Sequence, residues 1–264
     1  MLRLDLTGGE VECRLIDGDP DLEPLVFLHE GLGCAAMWSR FPDVVAKETR
    51  RSALVYSRHG HGGSAPPATA RSTSYLHDEA DHVLPEVLAR LSLRRPILIG
   101  HSDGASIALL AAGRLPTAAV VAIAPHVFVE PETLGGIARA RCRFSSGGLA
   151  ERLAVFHDDP DTVFRSWSEV WLSPQFADWN IEDRLQDISC PVLLVQGTQD
   201  EYGTLGQLDA IARGVNGPIS RAELAGCGHS PHLEQPATTR DIVVRFLRTS
   251  SELEHRSPRS GLPT

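Results

Sequence analysis

Residues 96–110 read PILIGHSDGASIALL, in which an apolar run ends in Gly-His-Ser-Asp-Gly and small residues follow. The apolar run predicts a buried strand, and the small residues predict a helix that packs closely on its neighbours. A serine between two glycines at a strand-to-helix turn matches the G-x-S-x-G pattern, in which a strained turn exposes the hydroxyl above a sheet. We therefore predict that Ser102 is a nucleophile rather than a serine of an ordinary glycine-containing turn.

The helix that follows Ser102 is expected to contribute to the chemistry through its backbone. A helix N-terminus carries unpaired N–H groups and a partial positive charge. The N–H of Asp103 is therefore a candidate donor to the oxyanion of a tetrahedral intermediate. The carboxylate of Asp103 is expected to stabilise the helix start and not to react.

A serine hydroxyl is a weak nucleophile near neutral pH, so it needs an adjacent base and a group that orients this base. Residues 191–203, PVLLVQGTQDEYG, form an apolar run that leads into a turn with two carboxylates, Asp200 and Glu201. Residues 226–232, GCGHSPH, form a glycine-containing turn with two imidazoles, His229 and His232. The residues alone leave both choices open, and a carboxylate of this kind can also serve only to form its turn.

Apolar runs and helical stretches alternate along the rest of the chain. Alternating leucines over residues 2–6, a glycine-containing turn and an apolar run over 11–16 predict an N-terminal hairpin. Continuous apolar runs predict buried parallel strands at 25–28, 53–56, 97–99, 120–123 and 192–195. Helices are predicted at 37–49, 75–91, 105–115 and 205–214. This order predicts an α/β fold with a mostly parallel, doubly wound sheet and an N-terminal antiparallel hairpin.

One connection, between Pro125 and Pro191, is too long for a simple crossover. A structureless loop of this length is improbable, so we predict that residues 130–187 form a helical cap over the carboxyl ends of the strands. Most of its aromatic residues are expected to hold the cap together, with Trp167 and Trp171 as candidate pocket residues. The α/β core is then predicted over 1–129 and 188–249, followed by a polar, flexible tail over 250–264.

Composition argues against several classes of protein. The net charge of −9 excludes the clustered basic surface of a nucleic-acid-binding protein. The five cysteines match no zinc pattern and predict free thiols in a reducing compartment. The N-terminus has no signal-peptide pattern and the chain has no long apolar run, so we expect a cytoplasmic protein that does not bind membranes. Its expected partner is a small-molecule substrate, and a monomer or a homodimer is expected.

Neither a metal nor a cofactor is predicted. The pairs His59/His61 and His229/His232 lack a third ligand at suitable spacing. Residues 58–64, RHGHGGS, are not a G-x-G-x-x-G motif and lack the strand–helix context of a dinucleotide site.

Taken together, these motifs resemble those of the alpha/beta-hydrolase superfamily, and more narrowly its bacterial cap-bearing, carboxylesterase-like group. The resemblance covers residues 24–246. It implies the alpha/beta-hydrolase fold and the chain order serine, acid, histidine, which selects Asp200 and His229 as the partners of Ser102. It also implies that residues 25–33, LVFLHEGLG, form the loop that donates the second oxyanion N–H, from either Gly31 or Leu32.

The function expected from these residues is acyl transfer from a small ester through an acyl-enzyme on Ser102. A carbon–carbon bond hydrolase of ring-cleavage products, a cofactor-free perhydrolase and a non-catalytic small-molecule sensor are the alternatives on the same scaffold. Dehalogenases and epoxide hydrolases are disfavoured because they need a carboxylate at position 102. Glu30 stands where the superfamily often has glycine; it is expected either to bond to its own loop or to line the pocket and discourage anionic substrates.

Overall fold

The computed structural model describes residues 1–67 and 70–256. Within them, eight strands form one sheet in the order β1-β2-β4-β3-β5-β6-β7-β8. The strands are β1 (Leu2–Leu6), β2 (Gly9–Ile16), β3 (Leu25–Leu28), β4 (Ala53–Tyr56), β5 (Ile97–His101), β6 (Ala119–Ile123), β7 (Val192–Gly197) and β8 (Ile219–Leu224). The pairs β1–β2 and β2–β4 are antiparallel, and the pairs from β4 to β8 are parallel. The mostly parallel sheet with an N-terminal antiparallel hairpin is therefore confirmed.

The α-helices of the described residues are α1 (Phe41–Thr49), α2 (Tyr75–Asp78), α3 (Leu84–Arg90), α4 (Asp103–Ala112), α5 (Pro131–Ser145), α6 (Gly148–Ala154), α7 (Pro160–Trp171), α8 (Gly206–Gly214), α9 (Pro231–Glu234) and α10 (Pro236–Arg256). Short 3₁₀ segments lie at Ala35–Trp38, Pro174–Phe176 and Glu182–Asp187. None of these helices combines the length and apolar character needed to cross a bilayer.

Two of the departures from the helices expected from the sequence have a physical cause, in proline or in tertiary contacts. The helix predicted over 75–91 is divided by a π-helical turn, Glu79–Val83. Pro85 follows this turn and cannot donate the regular backbone hydrogen bond. Helix α5 lies within the stretch 130–187 that was predicted to be helical, but the sequence did not single it out as a separate helix because adjacent glycines weaken its helical propensity. A Cβ on Gly136 would lie 2.7 Å from the carbonyl oxygen of Glu201, so this glycine permits a close packing contact.

The C-terminal helix α10 was not predicted either. It continues to Arg256, into the region expected to be a flexible tail over 250–264. Residues 257–264 of that predicted tail lie outside the described residues.

Apolar residues cover both faces of the sheet, which explains why the strands lack alternation. Val26 and Leu98 belong to one core cluster, and Phe27 and Ile99 belong to the other. Helix α4 is buried along its whole length, from Asp103 to Ala112. Small side chains in α4 allow this complete burial.

The chain reverses its direction across the sheet at β3. It passes from β3 to β4 on one side and then returns to place β5 on the other side of β3. Leu28, the last residue of β3, pairs with Gly100 of β5. The loops that leave these two strands are therefore neighbours at the carboxyl edge of the sheet, where α/β proteins bind their ligands.

Helix α4 approaches this edge so closely that two positions require glycine. A Cβ on Gly104 would lie 1.9 Å from the carbonyl oxygen of Leu28, and a Cβ on Gly100 would lie 2.1 Å from that of Gly104. Both obstacles are backbone atoms, which cannot move aside as a side chain can. The glycines of G-x-S-x-G are therefore needed for the packing of α4 against β3 and β5.

We expect Gly104→Ala to lower the free energy of unfolding by about 3 kcal/mol or more, because the new methyl group overlaps the backbone of β3. Gly148→Ala is the matched control, since its Cβ would meet nothing within 4 Å. Denaturant unfolding of the two variants would measure the difference. Equal stability of both variants would contradict the packing argument.

Candidate active site

Ser102 lies in the sharp turn between β5 and α4. Its backbone has φ 52° and ψ −118°, a conformation that is strained for a residue with a Cβ. Its N–H donates to the carbonyl of Ile123 at 2.9 Å, and the residue is 7% exposed. The turn is thus tied to β6 while the side chain lines a cavity above the sheet.

The structure brings the predicted triad residues together. Nε2 of His229 lies 3.0 Å from Oγ of Ser102. Nδ1 of the same ring lies 2.8 Å and 2.9 Å from the two carboxylate oxygens of Asp200. A neutral His229 with its proton on Nδ1 would donate to Asp200 and accept from the hydroxyl of Ser102.

The electrostatics of the pair favour a basic imidazole. Burial favours the neutral ring of His229, but the charge of Asp200 and its hydrogen bond raise the pKa above the usual histidine value. Burial alone would raise the pKa of Asp200, whereas the interactions with His229 and the N–H of Tyr202 hold it below its usual value. Asp200 therefore remains a carboxylate near neutral pH.

The competing residues of the two turns lie elsewhere. His232 packs against Trp38, with ring centroids 4.7 Å apart, and lines a separate cleft of about 30 Å³. Burial lowers the pKa of His232 to about 3. Glu201 is exposed, and its carbonyl accepts a hydrogen bond from Arg139. Neither residue makes the contacts that His229 and Asp200 make with each other.

The two candidate oxyanion donors in the loop after β3 differ in their hydrogen-bond partners. The carboxylate of Glu30 accepts a hydrogen bond from the N–H of Leu32, so this N–H already has a partner. The N–H of Gly31 has none among the described residues. A Cβ on Gly31 would lie 2.3 Å from Nε1 of Trp167, which explains the glycine at this position.

Glu30 takes both of the positions considered for it. It bonds to its own loop through Leu32 and also lines the cavity that contains Ser102. Burial raises the pKa of Glu30 to about 7, despite the hydrogen bond from Leu32. Burial therefore disfavours the charged form of this carboxyl group.

Two buried residues brace this loop from below. The N–H of Arg58 donates to Nε2 of His29 at 3.0 Å, so Nδ1 of His29 carries the proton and donates to the carbonyl of Glu30 at 2.7 Å. The guanidinium of Arg58 donates to the same carbonyl at 2.9 Å and lies 4.0 Å from the carboxylate of Asp103. Arg58 thus connects the loop after β3 with the start of α4.

Sequence reasoning missed a chain of hydrogen bonds that leads to α7 from the strand-to-helix turn at residues 100–104, called the elbow below. The hydroxyl of Tyr75 donates to Asp103 at 2.6 Å and accepts from Nε1 of Trp171 at 2.8 Å. Asp103 is 1% exposed. Trp171 therefore does more than line a pocket. Through Tyr75, its indole N–H links the helical segment between β6 and β7 to Asp103, the residue after Ser102. No local pattern around Tyr75 signals this contact.

A second missed connection joins α5 to the turn of Asp200. Glu130 accepts from the N–H of Thr204 at 2.7 Å and from Gln207 at 2.9 Å. Thr133 donates to the carbonyl of Tyr202 at 2.6 Å. The turn that carries Asp200, called the acid turn below, is thus held by the helical segment as well as by the sheet.

His101 precedes Ser102 in the elbow, and its side chain holds the loop that carries His229. Its Nε2 lies 2.8 Å from the carbonyl oxygen of His229, to which it donates. This bond fixes the backbone of the residue that bonds to Ser102.

The cavity above Ser102 has a volume of about 580 Å³. It combines charged, polar and apolar side chains, and both candidate pocket tryptophans line it. Its lining includes Glu30, Leu32, His126, Ile137, Arg143, Leu149, Arg152, Trp167, Trp171, Glu201 and Tyr202. No group of three or more potential metal ligands is found among the described residues.

Comparisons with known proteins agree with this architecture. A model of the alpha/beta hydrolase family matches residues 25–242. The proline iminopeptidase of Lactobacillus delbrueckii subsp. bulgaricus is 24% identical over 279 residues, covering 89% of this chain and 93% of that protein.

Solved structures share the fold at low sequence identity. The proline iminopeptidase from Mycobacterium smegmatis is 20% identical with a TM-score of 0.72, covering 96% of this chain and 99% of that one. The enol-lactonase from Burkholderia xenovorans LB400 is 20% identical with a TM-score of 0.74, covering 94% of this chain and 100% of that one. The predicted alpha/beta-hydrolase fold is confirmed.

We expect Tyr75→Phe to lower the free energy of unfolding by about 2–4 kcal/mol, because the buried Asp103 carboxylate and the indole N–H of Trp171 both lose a partner. Tyr202→Phe is the control: its hydroxyl accepts only from the exposed Arg143, at 3.1 Å, and its loss should cost about 1 kcal/mol or less. Chemical denaturation of both variants measures these costs. A Tyr75 variant as stable as the Tyr202 variant would show that the buried chain contributes little.

Proposed function

Because the chain belongs to the alpha/beta hydrolase family, we propose that it is a serine hydrolase that cleaves a small carboxylic ester. The observation that carries this proposal is the 3.0 Å contact between Nε2 of His229 and Oγ of Ser102, with Asp200 bonded to the other ring nitrogen. Thioesters and lactones undergo the same acyl transfer and belong to the proposed substrate class.

In the proposed mechanism, Oγ of Ser102 attacks the substrate carbonyl while Nε2 of His229 takes its proton. The N–H groups of Gly31 and Asp103 donate to the oxyanion. We choose Gly31 over Leu32 because the N–H of Leu32 already donates a hydrogen bond to the carboxylate of Glu30. The imidazolium then protonates the leaving group, and water releases the acyl-enzyme by the same steps.

The helical segment between β6 and β7 is proposed to act as a cap over this site. Its helices supply Trp167, Trp171 and Arg143 to the cavity, and its contacts with Tyr75 and the acid turn fix its position. A volume of about 580 Å³ suits a small or medium-sized substrate.

An amide substrate with a free amino group is the second candidate. Two carboxylate-bearing residues, Glu30 and Glu201, line the cavity and would attract an ammonium group. The likeness to a proline iminopeptidase over nearly the whole chain points in the same direction. Assays with proline p-nitroanilide and with p-nitrophenyl esters of increasing acyl length would separate the two candidates. The anilide carries the free amino group that the second candidate selects, and the esters carry the acyl group that the first candidate selects.

We expect Ser102→Ala to reduce ester hydrolysis by about 10⁴-fold or more, since triad members act as a unit. The same change should abolish labelling by a fluorophosphonate probe. Ser166→Ala is the control, because the Ser166 hydroxyl bonds only to the carbonyl of Val163; that variant should still be labelled at Ser102. Retained hydrolysis or labelling in the Ser102 variant, measured with a p-nitrophenyl ester and by mass spectrometry, would rule out this nucleophile.

The pH dependence follows from His229, which must be neutral to act as a base. Because Asp200 raises the pKa of His229, kcat/KM is expected to rise with pH through a midpoint above the ordinary histidine value of about 6.5. Asp200→Asn removes the negative charge, so the midpoint should move to lower pH and the rate should fall about 10³–10⁴-fold. The pH profile and an NMR titration of His229 measure both effects, and an unchanged midpoint would contradict the assignment of Asp200.

A further inference from the structure

His126 follows the last strand of the sheet before the helical segment, and its backbone is firmly held. Ala124, at the end of β6, has a φ of 48°, an unusual conformation for a residue other than glycine. The hydroxyl of Ser106 donates to the carbonyl of His126 at 2.6 Å and accepts from its N–H at 3.3 Å. A strained turn and a serine of α4 therefore fix where the side chain of His126 lies.

The ring of His126 is buried but makes no hydrogen bond with any described residue. The residue is 3% exposed, and Nδ1 is completely enclosed without a partner. A Cβ on Gly203 would lie 3.1 Å from Cε1 and 3.4 Å from Nδ1, so this edge of the ring faces Gly203. Nε2 is not enclosed, and the side chain lines the cavity that contains Ser102 and His229.

The tautomer of His126 is assigned from the surroundings of its two ring nitrogens. Burying a polar group without a partner costs about 1–3 kcal/mol. Each ring nitrogen of a neutral histidine is either a donor or an acceptor. With the proton on Nε2, the N–H points to the cavity, where a ligand can satisfy it, and only a lone pair is enclosed beside Gly203.

The surroundings keep this imidazole neutral. Burial and the neighbouring His229, whose ring stacks on it at a centroid distance of 5.9 Å, lower the pKa of His126 to about 4. Three carboxylates that act on the ring oppose this shift: Asp200, Asp103 and Glu130. These carboxylates would repel an anionic substrate group at this point of the cavity, whereas an uncharged oxygen would meet no such repulsion.

We propose that His126 is a specificity-determining residue that donates a hydrogen bond from Nε2 to an uncharged oxygen of the substrate, other than the scissile ester group. This inference rests on the proposed serine hydrolase function and deepens it. The substrate class is then an ester that carries a second oxygen acceptor, such as a keto or ether oxygen. A plain alkyl ester leaves the N–H of His126 unpaired when it displaces water from the cavity, and is therefore a poorer substrate.

The test uses pairs of esters in which one methylene group is exchanged for an oxygen function. In the acyl chain, p-nitrophenyl pentanoate is compared with its two analogues that carry a keto group at the third or the fourth carbon. In the alcohol chain, butyl acetate is compared with methoxyethyl acetate. The kcat/KM ratio of the oxygenated to the plain ester is measured for the wild type and for His126→Leu. The wild-type ratio divided by the ratio of the variant gives a double ratio. This double ratio cancels the intrinsic reactivity of each ester and any general loss of activity in the variant.

We expect this double ratio to be about tenfold for at least one pair, the size of one well-made hydrogen bond. His126→Gln, which retains an N–H donor, should recover part of the preference. His232→Leu is the matched control, because His232 is equally buried with an unpartnered Nδ1 but lines only the separate cleft of about 30 Å³. Its double ratio should be close to one for every pair.

A double ratio near one for all pairs in His126→Leu, with the plain esters still hydrolysed, would overturn the role of His126 alone. A ratio that changes equally in the His232 variant would also overturn it, because the effect would then arise from general repacking of the histidine cluster. Absence of hydrolysis of every ester by the wild type, together with no probe labelling of Ser102, would instead refute the proposed function itself.

Discussion

The strained turn at Ser102 is the constraint on which the arrangement of this site depends. A serine held at φ 52° costs about 1–3 kcal/mol, and the surrounding contacts must offset this cost. Two glycines let α4 lie against the backbone of β3, complete burial of α4 prevents its movement, and the bond from Ser102 to Ile123 ties the turn to β6. Relaxation of the turn would have to displace a helix from the middle of the core.

The other parts of the site are fixed to this turn by three sets of hydrogen bonds and ion pairs. His101 binds the backbone of His229 from within the elbow. Arg58 connects the loop after β3 with Asp103 from below. Tyr75 connects Asp103 with Trp171 in the helical segment above. Because each connection ends at or beside the elbow, these contacts fix the loop after β3, the backbone of His229 and α7 relative to Ser102. In the proposed mechanism, such a fixed geometry is what electrostatic stabilisation of the oxyanion requires.

The sequence predicts the parts of this structure that follow from local pattern. Two strands, Leu25–Leu28 and Ala53–Tyr56, have the predicted bounds, and the structure brings together the residues predicted to act with Ser102. The missed features depend on contacts between distant residues. Tyr75 and Trp171 are 96 positions apart. Helix α5 relies on its packing against the acid turn. The proposed choice of Gly31 over Leu32 depends on the direction taken by the side chain of Glu30. None of these is encoded in a short stretch of sequence.

Four histidines that form a row of ring contacts around the site, in the order His232, His101, His229 and His126, illustrate how position assigns chemical roles. The rings of His101 and His126 each lie within 6 Å of His229, and His232 contacts His101. Only His229 has a carboxylate bonded to its ring, and only its pKa is raised; burial lowers the pKa of the other three. In the proposed mechanism, a proton taken from Ser102 would therefore stay on His229 and not pass to a neighbouring ring. The neutral neighbours also avoid repelling the imidazolium that forms, so a cluster of four titratable rings can act with a single base.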